Sequence, residues 1–527
     1  MQQQRNLRRL FQALAKQGLD VDYNNQTYSV RLNNSPDTPI AEVLLPENFP
    51  VEAKALKQLA NLANIRHPAG GHVCKCCATP DFHPGDAGVA IGSVVETQGM
   101  LIPAAVGSDI NCGMRLHVAD LSLERFLEKR SRFVELMKGD YFFGTRDVTM
   151  TANTSRALFQ HGIPGWLDAM IDSPTGSFVK SNLEQLSSEI DRVYLGGSMD
   201  GSAYWAPEEL IPESGLVRDG GLATIGGGNH FVEVQVVENV EDKAIAYEWG
   251  VREGQLAFMI HSGSRNVGKY IGGMWRDRAQ AAWPQRQPYP ESRLFPLSTQ
   301  ANPELVKRYL EAEATAANYG FVNRLLLAEL LRLRLREVYG DIEAPLVYDL
   351  PHNITLKEPP QPPLLRGEQE KEPPLLRGEQ DPPQLLASPL VRGTGGGTQR
   401  EEQDQDRRWV TRKGACPAHP GQPVIIPGSM GAASYLLIGK GNPAFLNSAS
   451  HGAGRMRSRF ELSRKGASQS EEALGLTGVD CITLREERRI EEAPVAYKPI
   501  ESVIDVQVQA EMVSVVARLQ PVLTFKA

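Results

Sequence analysis

Four histidines in this sequence stand in short loops rich in glycine, serine and asparagine: His230 in GGGNHFVEV, His261 in HSGSRNVG, His352 in YDLPHNI and His451 in SASHGAGR. A fifth segment of the same texture, GSDINCGMRL, sets Asp109 and Cys112 three residues apart. Such loops suit catalytic and ligand residues, because a rigid scaffold presents them while glycine lets a substrate approach the backbone. Taken singly, a loop histidine is usually an ordinary hydrogen-bonding residue, and one Asp-x-x-Cys is usually an accident. Together they supply a carboxylate, a thiolate and three imidazoles, with a fourth imidazole to spare. Imidazole and thiolate suit Mn, Fe, Co or Zn, whereas carboxylate alone would suit Mg or Ca. A thiolate can bridge two ions, and a two-metal site can clamp both oxygens of a phosphoryl displacement.

Two further loops have the composition of anion cradles. PGSMGAAS (427–434) and HGAGR (451–455) offer glycine-backed N–H groups together with Ser429, Ser434 and Arg455. Successive backbone N–H groups bind anions, and an arginine fork suits phosphate. Tight glycine turns in a β-rich core account for either loop equally well. CKCC (Cys74, Cys76, Cys77), with His72 and His83 near it, lacks the paired Cys-x-x-Cys spacing of a zinc site. Three small, partly buried thiols are the expectation there.

The elements that position these loops are legible in part. Leu7, Leu10, Phe11 and Leu14 fall at helical spacing, as do Leu56, Leu59 and Leu62, so residues 1–70 read as helix, polar hairpin, helix. From about 71 to 270 the texture turns to short β-rich segments broken by glycines. Leu305 to Tyr339 reads as one long helix opened by Pro303 and interrupted only by Gly320. PPLLRGEQ occurs at 362–369 and 373–380, with a degraded third copy, inside a Pro-rich, charged stretch from 358 to 408. That composition cannot bury enough apolar surface to offset its ordering entropy, so the stretch reads as a disordered insertion. β-rich texture resumes at Trp409 and ends in VSVVARLQPVLTFKA, a buried strand carrying Lys526.

With 527 residues, 41% hydrophobic and 23% charged, the chain has the composition of a soluble globular protein. It has no membrane-length apolar run and no secretory h-region, so a cytoplasmic location is expected, with no membrane partner. Six cysteines in a chain this long are reduced thiols and not a disulfide framework. A net charge of −7 argues against a globally basic nucleic-acid coat but permits a local basic groove, for which the cluster Arg455, Arg457, Arg459, Arg464 and Lys465 is the candidate.

In this order PDFHPG, DINCG, GGGNHF-E, HSGSR, HNI, RKGA, PGSMGAASY and HGAGR closely resemble the RtcB family of RNA-splicing ligases. The resemblance runs from about residue 80 to the end, the insertion excepted. It implies an α+β fold: a single RtcB-type catalytic domain with a β-rich core, surrounding helices and the long insertion. Its parts would be an N-terminal segment (1–70) packed on the core, a metal-ligand part (71–357), the insertion (358–408) and a guanylylated-histidine part (409–527). It implies that Asp109, Cys112, His230, His261 and His352 hold two Mn²⁺ ions, with Cys112 between them. His451 matches the guanylylated nucleophile, and Asp81 falls where a family aspartate sits near it. Asn229, His230, Phe231, Glu233, His352 and Asn353 would line the metal and guanylate site. Pro427, Gly428, Ser429, Met430, Ser434, His451, Gly452, Ala453 and Gly454 would hold phosphate, ribose and base, and Lys526 would contact guanine.

The implied activity is GTP-dependent joining of RNA 3′-phosphate or 2′,3′-cyclic phosphate ends to 5′-hydroxyl ends, for tRNA splicing or RNA repair. RNA and GTP are the implied partners, and an activating protein is compatible with the resemblance. Two rivals use the same residues: a two-metal nucleotidyltransferase or phosphoesterase acting on other phosphorylated nucleic-acid ends, and a non-catalytic RNA-binding protein with a fossil site. The complete set of five ligands and His451 argues against the second.

Overall fold

Apolar strands of this sequence assemble into two sheets whose ends meet. Residues 2–34, 39–47, 49–357, 408–459, 461–462 and 469–527 are described by a computed structural model of the chain. The N-terminal part supplies β1 (Leu19–Asn24), β2 (Thr27–Leu32), β3 (Ala41–Leu44), β4 (His72–His83) and β5 (Ile91–Gln98). The middle supplies β6 (Gly113–Ser122), β7 (Phe231–Val240), β8 (Gln255–Ser262), β9 (Leu346–Pro351) and β10 (Asn353–Lys357). The C-terminal part supplies β11 (Arg408–Lys413), β12 (Ala415–Pro417), β13 (Pro423–Ile426), β14 (Ser434–Gly439), β15 (Ser448–Ser450) and β16 (Val513–Lys526). The first sheet runs β1-β2-β3-β4-β5-β11-β10 and the second β9-β6-β8-β7-β16-β14-β13, with Cys481–Thr483 paired beside β16. The architecture is α+β.

Helices α1 (Gln2–Ala15) and α2 (Ala53–Ala63) flank the expected N-terminal hairpin, whose strands β1 and β2 close at Asn24 and Thr27. β3 is an addition, and its parallel pairing with β4 puts the first seventy residues into the first sheet. The stretch from 71 to 270 also holds the helices α3 (Leu123–Phe142) and α4 (Ala152–Asp172) and the start of α5 (Arg265–Ala281). Gly162, at φ 61°, and Pro164 kink α4 and obscure its periodicity in the sequence.

The long helix α6 (Pro303–Tyr339) runs without a break through Gly320. Glycine is needed there for proximity, not flexibility: a Cβ would stand 2.9 Å from the Asn111 carbonyl oxygen. Every residue of β8 is buried, because the strand feeds a core on each face. Leu256, Phe258 and Ile260 join the residues of α3, α4 and α6, while Ala257 and Met259 join those of β13, β14 and β16. Each large apolar side chain buried this way contributes about 1.5–3 kcal/mol. Antiparallel sheets usually leave one face wet, so the two-sided apolar run of β8 marks it as central.

β10 and β11 are antiparallel neighbours with Lys357 opposite Trp409. The first sheet thus loses the chain at Lys357 and regains it at Arg408, a strand residue and not the last residue of the expected insertion 358–408, whose other residues lie outside the described ones. Among the described residues no helix is long and apolar enough to cross a membrane.

Candidate active site

Topology brings the five proposed metal ligands to one end of the second sheet. Cys112 directly precedes β6, and His261 is the penultimate residue of β8, which runs antiparallel to it with His261 opposite Met114. His230 precedes β7, whose first residue Phe231 lies opposite His261. His352 is the single residue between β9 and β10, where the chain passes from the second sheet to the first. The loop ahead of β6 carries Asp109, and its Asn111 adopts a left-handed φ of 52°.

The donor atoms converge closely. Cys112 Sγ lies 3.2 Å from both His230 Nε2 and His261 Nε2, and His261 Nε2 lies 3.3 Å from His352 Nε2. His230 Nε2 is 2.8 Å from Asp109 Oδ2. Two triads follow, Cys112–His261–His352 and Asp109–Cys112–His230, each with donor atoms within 4.8 Å of one another and with Cys112 shared. Separations near 3.2 Å are the edge lengths expected around ions bound at about 2.0–2.3 Å, and a shared thiolate suits a bridging position. Burial, reinforced by the neighbouring histidines, pushes His261 well below the ordinary histidine range; burial, then His451, does the same to His352. Burial and Asp109 push the Cys112 thiol well up, a penalty that a bound cation reverses.

Helix α6 locks this end of the sheet. The buried Arg324 guanidinium donates to the Asn111 carbonyl at 2.6 Å, the Ser262 carbonyl at 3.2 Å and Asp349 Oδ1 at 2.7 Å. It thereby touches the segments that carry Cys112, His261 and His352. Asn353 fixes the same corner, donating to the Asp109 carbonyl at 2.9 Å and accepting from Gly414 N at 2.7 Å.

His451 comes from the first-sheet side, directly after β15. Its Nδ1 is 2.6 Å from Asp81 Oδ2, which also accepts from the His451 backbone N–H at 3.2 Å. The other Asp81 oxygen accepts from Thr79 Oγ1 at 2.6 Å. Burial works against the Asp81 charge, yet the hydrogen bond and charge of His451, with Thr79 and Lys498, hold its carboxyl below the usual range. With Nδ1 engaged, Nε2 is the nitrogen available for chemistry. The His451 ring centroid is 4.7 Å from that of His352 and 6.5 Å from that of His261.

A cavity of about 620 Å³ opens over this centre. Asn229, Phe231, Glu233, Asn353, Pro427, Gly428, Ser429, Met430, Gly452, Ala453, Gly454 and Lys526 all line it, beside Asp109, Cys112, His261, His352 and His451. Burial pushes the Glu233 carboxyl up to about 7 although Thr524 and Gln235 donate to it. Burial lowers the Lys526 ammonium, which Glu492 partly offsets from 3.9 Å. Ser434 is placed differently: fully buried, its hydroxyl lies 2.8 Å from Gln235 Nε2 and accepts from Gly428 N at 3.3 Å, so it braces the 427–434 loop from behind.

The structure also places the arginine cluster and the CKCC cysteines. Arg455 and Arg459, expected as RNA contacts, pair with buried Glu492 at 3.2 and 2.8 Å and form one wall of the cavity; Arg464 and Lys465 lie outside the described residues. The CKCC thiols do not converge: Cys76 contacts the Leu59 carbonyl, Cys77 is buried in the core, and Cys74 is near His72 at 3.8 Å. Residue-by-residue reading missed Glu492 and Arg324, and also Lys413, Lys269 and Arg276, three cations that line the cavity. Only Lys413, inside RKGA, carried a motif signal, because the others act through tertiary placement.

The family model described as tRNA-splicing ligase RtcB matches residues 58–361 and 397–527. The chain is 29% identical to the tRNA-splicing ligase RtcB of Archaeoglobus fulgidus over 487 residues, which cover 89% of this chain and 90% of that one. It is 30% identical to the RNA-splicing ligase RtcB of Mycobacterium tuberculosis over 485 residues, covering 88% and 98%. Joined to the two ligand triads around Cys112, these matches establish that the chain belongs to the RtcB family of RNA-splicing ligases.

Proposed function

We propose that this protein is a GTP- and Mn²⁺-dependent RNA ligase that joins RNA 3′-phosphate or 2′,3′-cyclic phosphate ends to 5′-hydroxyl ends through GMP carried covalently on His451, in tRNA splicing, RNA repair or both. The observation that carries the reading is a buried histidine held at Nδ1 by Asp81, with its ring against the ring of one of five converging metal donors.

His451 Nε2 attacks the α-phosphorus of GTP, an N–P bond forms, and the bond to the departing pyrophosphate breaks. Asp81 fixes the ring's orientation and tautomer throughout, as an orienting carboxylate does for other nucleophile partners. Asp109, Cys112, His230, His261 and His352 would hold two Mn²⁺ ions, whose charge would offset negative charge on the reacting phosphates. Loops 427–430 and 452–454 supply backbone N–H groups for phosphate and ribose, while Glu233 and Lys526 meet the guanine edge. The RNA 3′-phosphate, released first from a cyclic phosphate where necessary, takes GMP from His451. The 5′-hydroxyl of the second strand then attacks that activated phosphate and GMP leaves. Splitting one condensation into displacements with good leaving groups is covalent catalysis.

The test is incubation of two RNA pieces, one ending in a 2′,3′-cyclic phosphate and the other beginning with a 5′-hydroxyl, with GTP and Mn²⁺. A joined product that requires both GTP and the metal is expected. Release of the 3′ phosphate without joining would instead assign the phosphoesterase chemistry. The reading places the protein in the cytoplasm, where its six free cysteines stay reduced.

A further inference from the structure

Asp81, which orients His451, sits two residues before the end of β4. What holds it comes from far along the chain. Lys498 is 3% exposed, and its ammonium donates to the Pro80 carbonyl at 2.8 Å and to the Phe82 carbonyl at 2.6 Å, gripping the residues on either side of Asp81. Its own backbone N–H donates to the Gly454 carbonyl at 2.9 Å, in the loop that follows His451. One residue therefore ties the carboxylate's segment to the nucleophile's. Gly454, at φ 74°, packs so tightly on Asp81 that a Cβ there would collide with the Asp81 backbone. Lys498 leads into helix α7 (Ile500–Gln509), and Gln507 of that helix accepts from the backbone N–H of Ser450, one residue before His451, at 2.8 Å.

A structural cation had cheaper options. Burying an ammonium is costly unless it is well bonded, and an apolar residue would fill the space beside Phe49, whose ring centroid lies 5.5 Å from the Lys498 nitrogen. The placement makes sense if its two carbonyl bonds and its charge serve the carboxylate between them. Carbonyls aimed at a lysine leave the Asp81 side chain free for Thr79 and His451.

We propose that Lys498 is a positioning residue for guanylyl transfer, acting through Asp81 on the ring of His451. The proposal rests on the ligase reading above for its kinetic arm, while its spectroscopic arm stands without it.

The experiment compares wild type, Lys498→Met, Lys498→Arg, Asp81→Asn and the Lys498→Met/Asp81→Asn double variant. In single-turnover guanylylation, Lys498→Met should lower the limiting rate roughly 10- to 100-fold, the scale for a misplaced reacting group. GTP half-saturation and Mn²⁺ affinity should stay within about threefold of wild type, a rate-against-binding split that general loosening of the fold does not produce. Lys498→Arg should recover part of the rate. In the Asp81→Asn background, Lys498→Met should cost little more, because its effect is transmitted through that carboxylate. Full cost persisting in that background, or a Lys498→Met rate within about twofold of wild type, overturns the proposal.

The second arm is the ¹⁵N histidine spectrum, with the His451 Nδ1–H signal assigned by its loss in His451→Ala. Lys498→Met should shift or broaden that signal and Lys498→Arg restore it. An unchanged signal in Lys498→Met overturns the proposal whether or not the wild type is guanylylated. Should Lys498→Met fail to fold, Lys498→Gln decides: a folded variant with a slowed rate and a shifted Nδ1–H signal supports the carbonyl grip, and a folded variant equal to wild type in both overturns it.

Discussion

Single atoms carry most of the chemistry here. Cys112 Sγ, placed 3.2 Å from two imidazole nitrogens, is the shared member of both ligand triads. His451 has one ring nitrogen committed to Asp81, which leaves Nε2 for the proposed attack on phosphorus. Replacing Asp81 with Asn keeps the size but removes the charge and changes which partner must donate. By analogy with other orienting carboxylates, guanylylation should fall by about 10²–10⁴-fold with Mn²⁺ affinity unchanged, measured by single-turnover labelling and by metal titration. Equal activity in the Asn variant would remove Asp81 from the account. At this scale the sequence was informative, because loop histidines with a nearby Asp-x-x-Cys already name a donor set. It was silent on Lys498, Glu492 and Arg324, whose partners Phe82, Arg459 and Asp349 lie 416, 33 and 25 residues away. No spacing along the chain can reveal contacts of that kind.

Elements decide whether those atoms meet. Helix α6 was legible because its apolar run is long and opens with proline, but its passage through Gly320 was not, since the reason is an Asn111 carbonyl from another segment. The crossover at His352 was equally hidden, because β9 and β10 belong to different sheets and nothing in YDLPHNI marks the change. α6 also buries Glu313, whose carboxylate accepts from Thr355 N at 2.6 Å. Burial, only partly offset by Tyr309 and Thr355, pushes its carboxyl from 4.5 up to about 7. The folded state thus keeps a proton that the unfolded chain releases above pH 4.5. Stability should therefore fall as pH rises from about 4.5 to about 7 and level off above that, by on the order of 3 kcal/mol from this residue. Glu313→Gln should flatten that part of the profile in denaturant melts at pH 5 and pH 8. A wild-type profile unchanged by the substitution would contradict the assignment.

The whole molecule brings three sheets to one chemical edge, with metal donors at the end of the second sheet, Asp81 on β4 of the first, and His451 directly after β15, which pairs with β12 in a small sheet of its own. Lys357 lies opposite Trp409, so residues 358–407 can be replaced by a short turn joining β10 to β11 without moving either strand. Such a variant should melt within a few degrees of wild type and keep its guanylylation; loss of guanylylation would give the segment a part in the site. The central claim is that His451 accepts GMP at this edge. Incubation with α-labelled GTP and Mn²⁺, followed by a denaturing gel, tests it most directly in wild type and His451→Ala. Label that stays on the wild-type chain, is released by acid and is absent from the variant is the predicted result. A wild-type chain left unlabelled with Mn²⁺ and with other divalent metals, or a His451→Ala chain labelled equally, would contradict it.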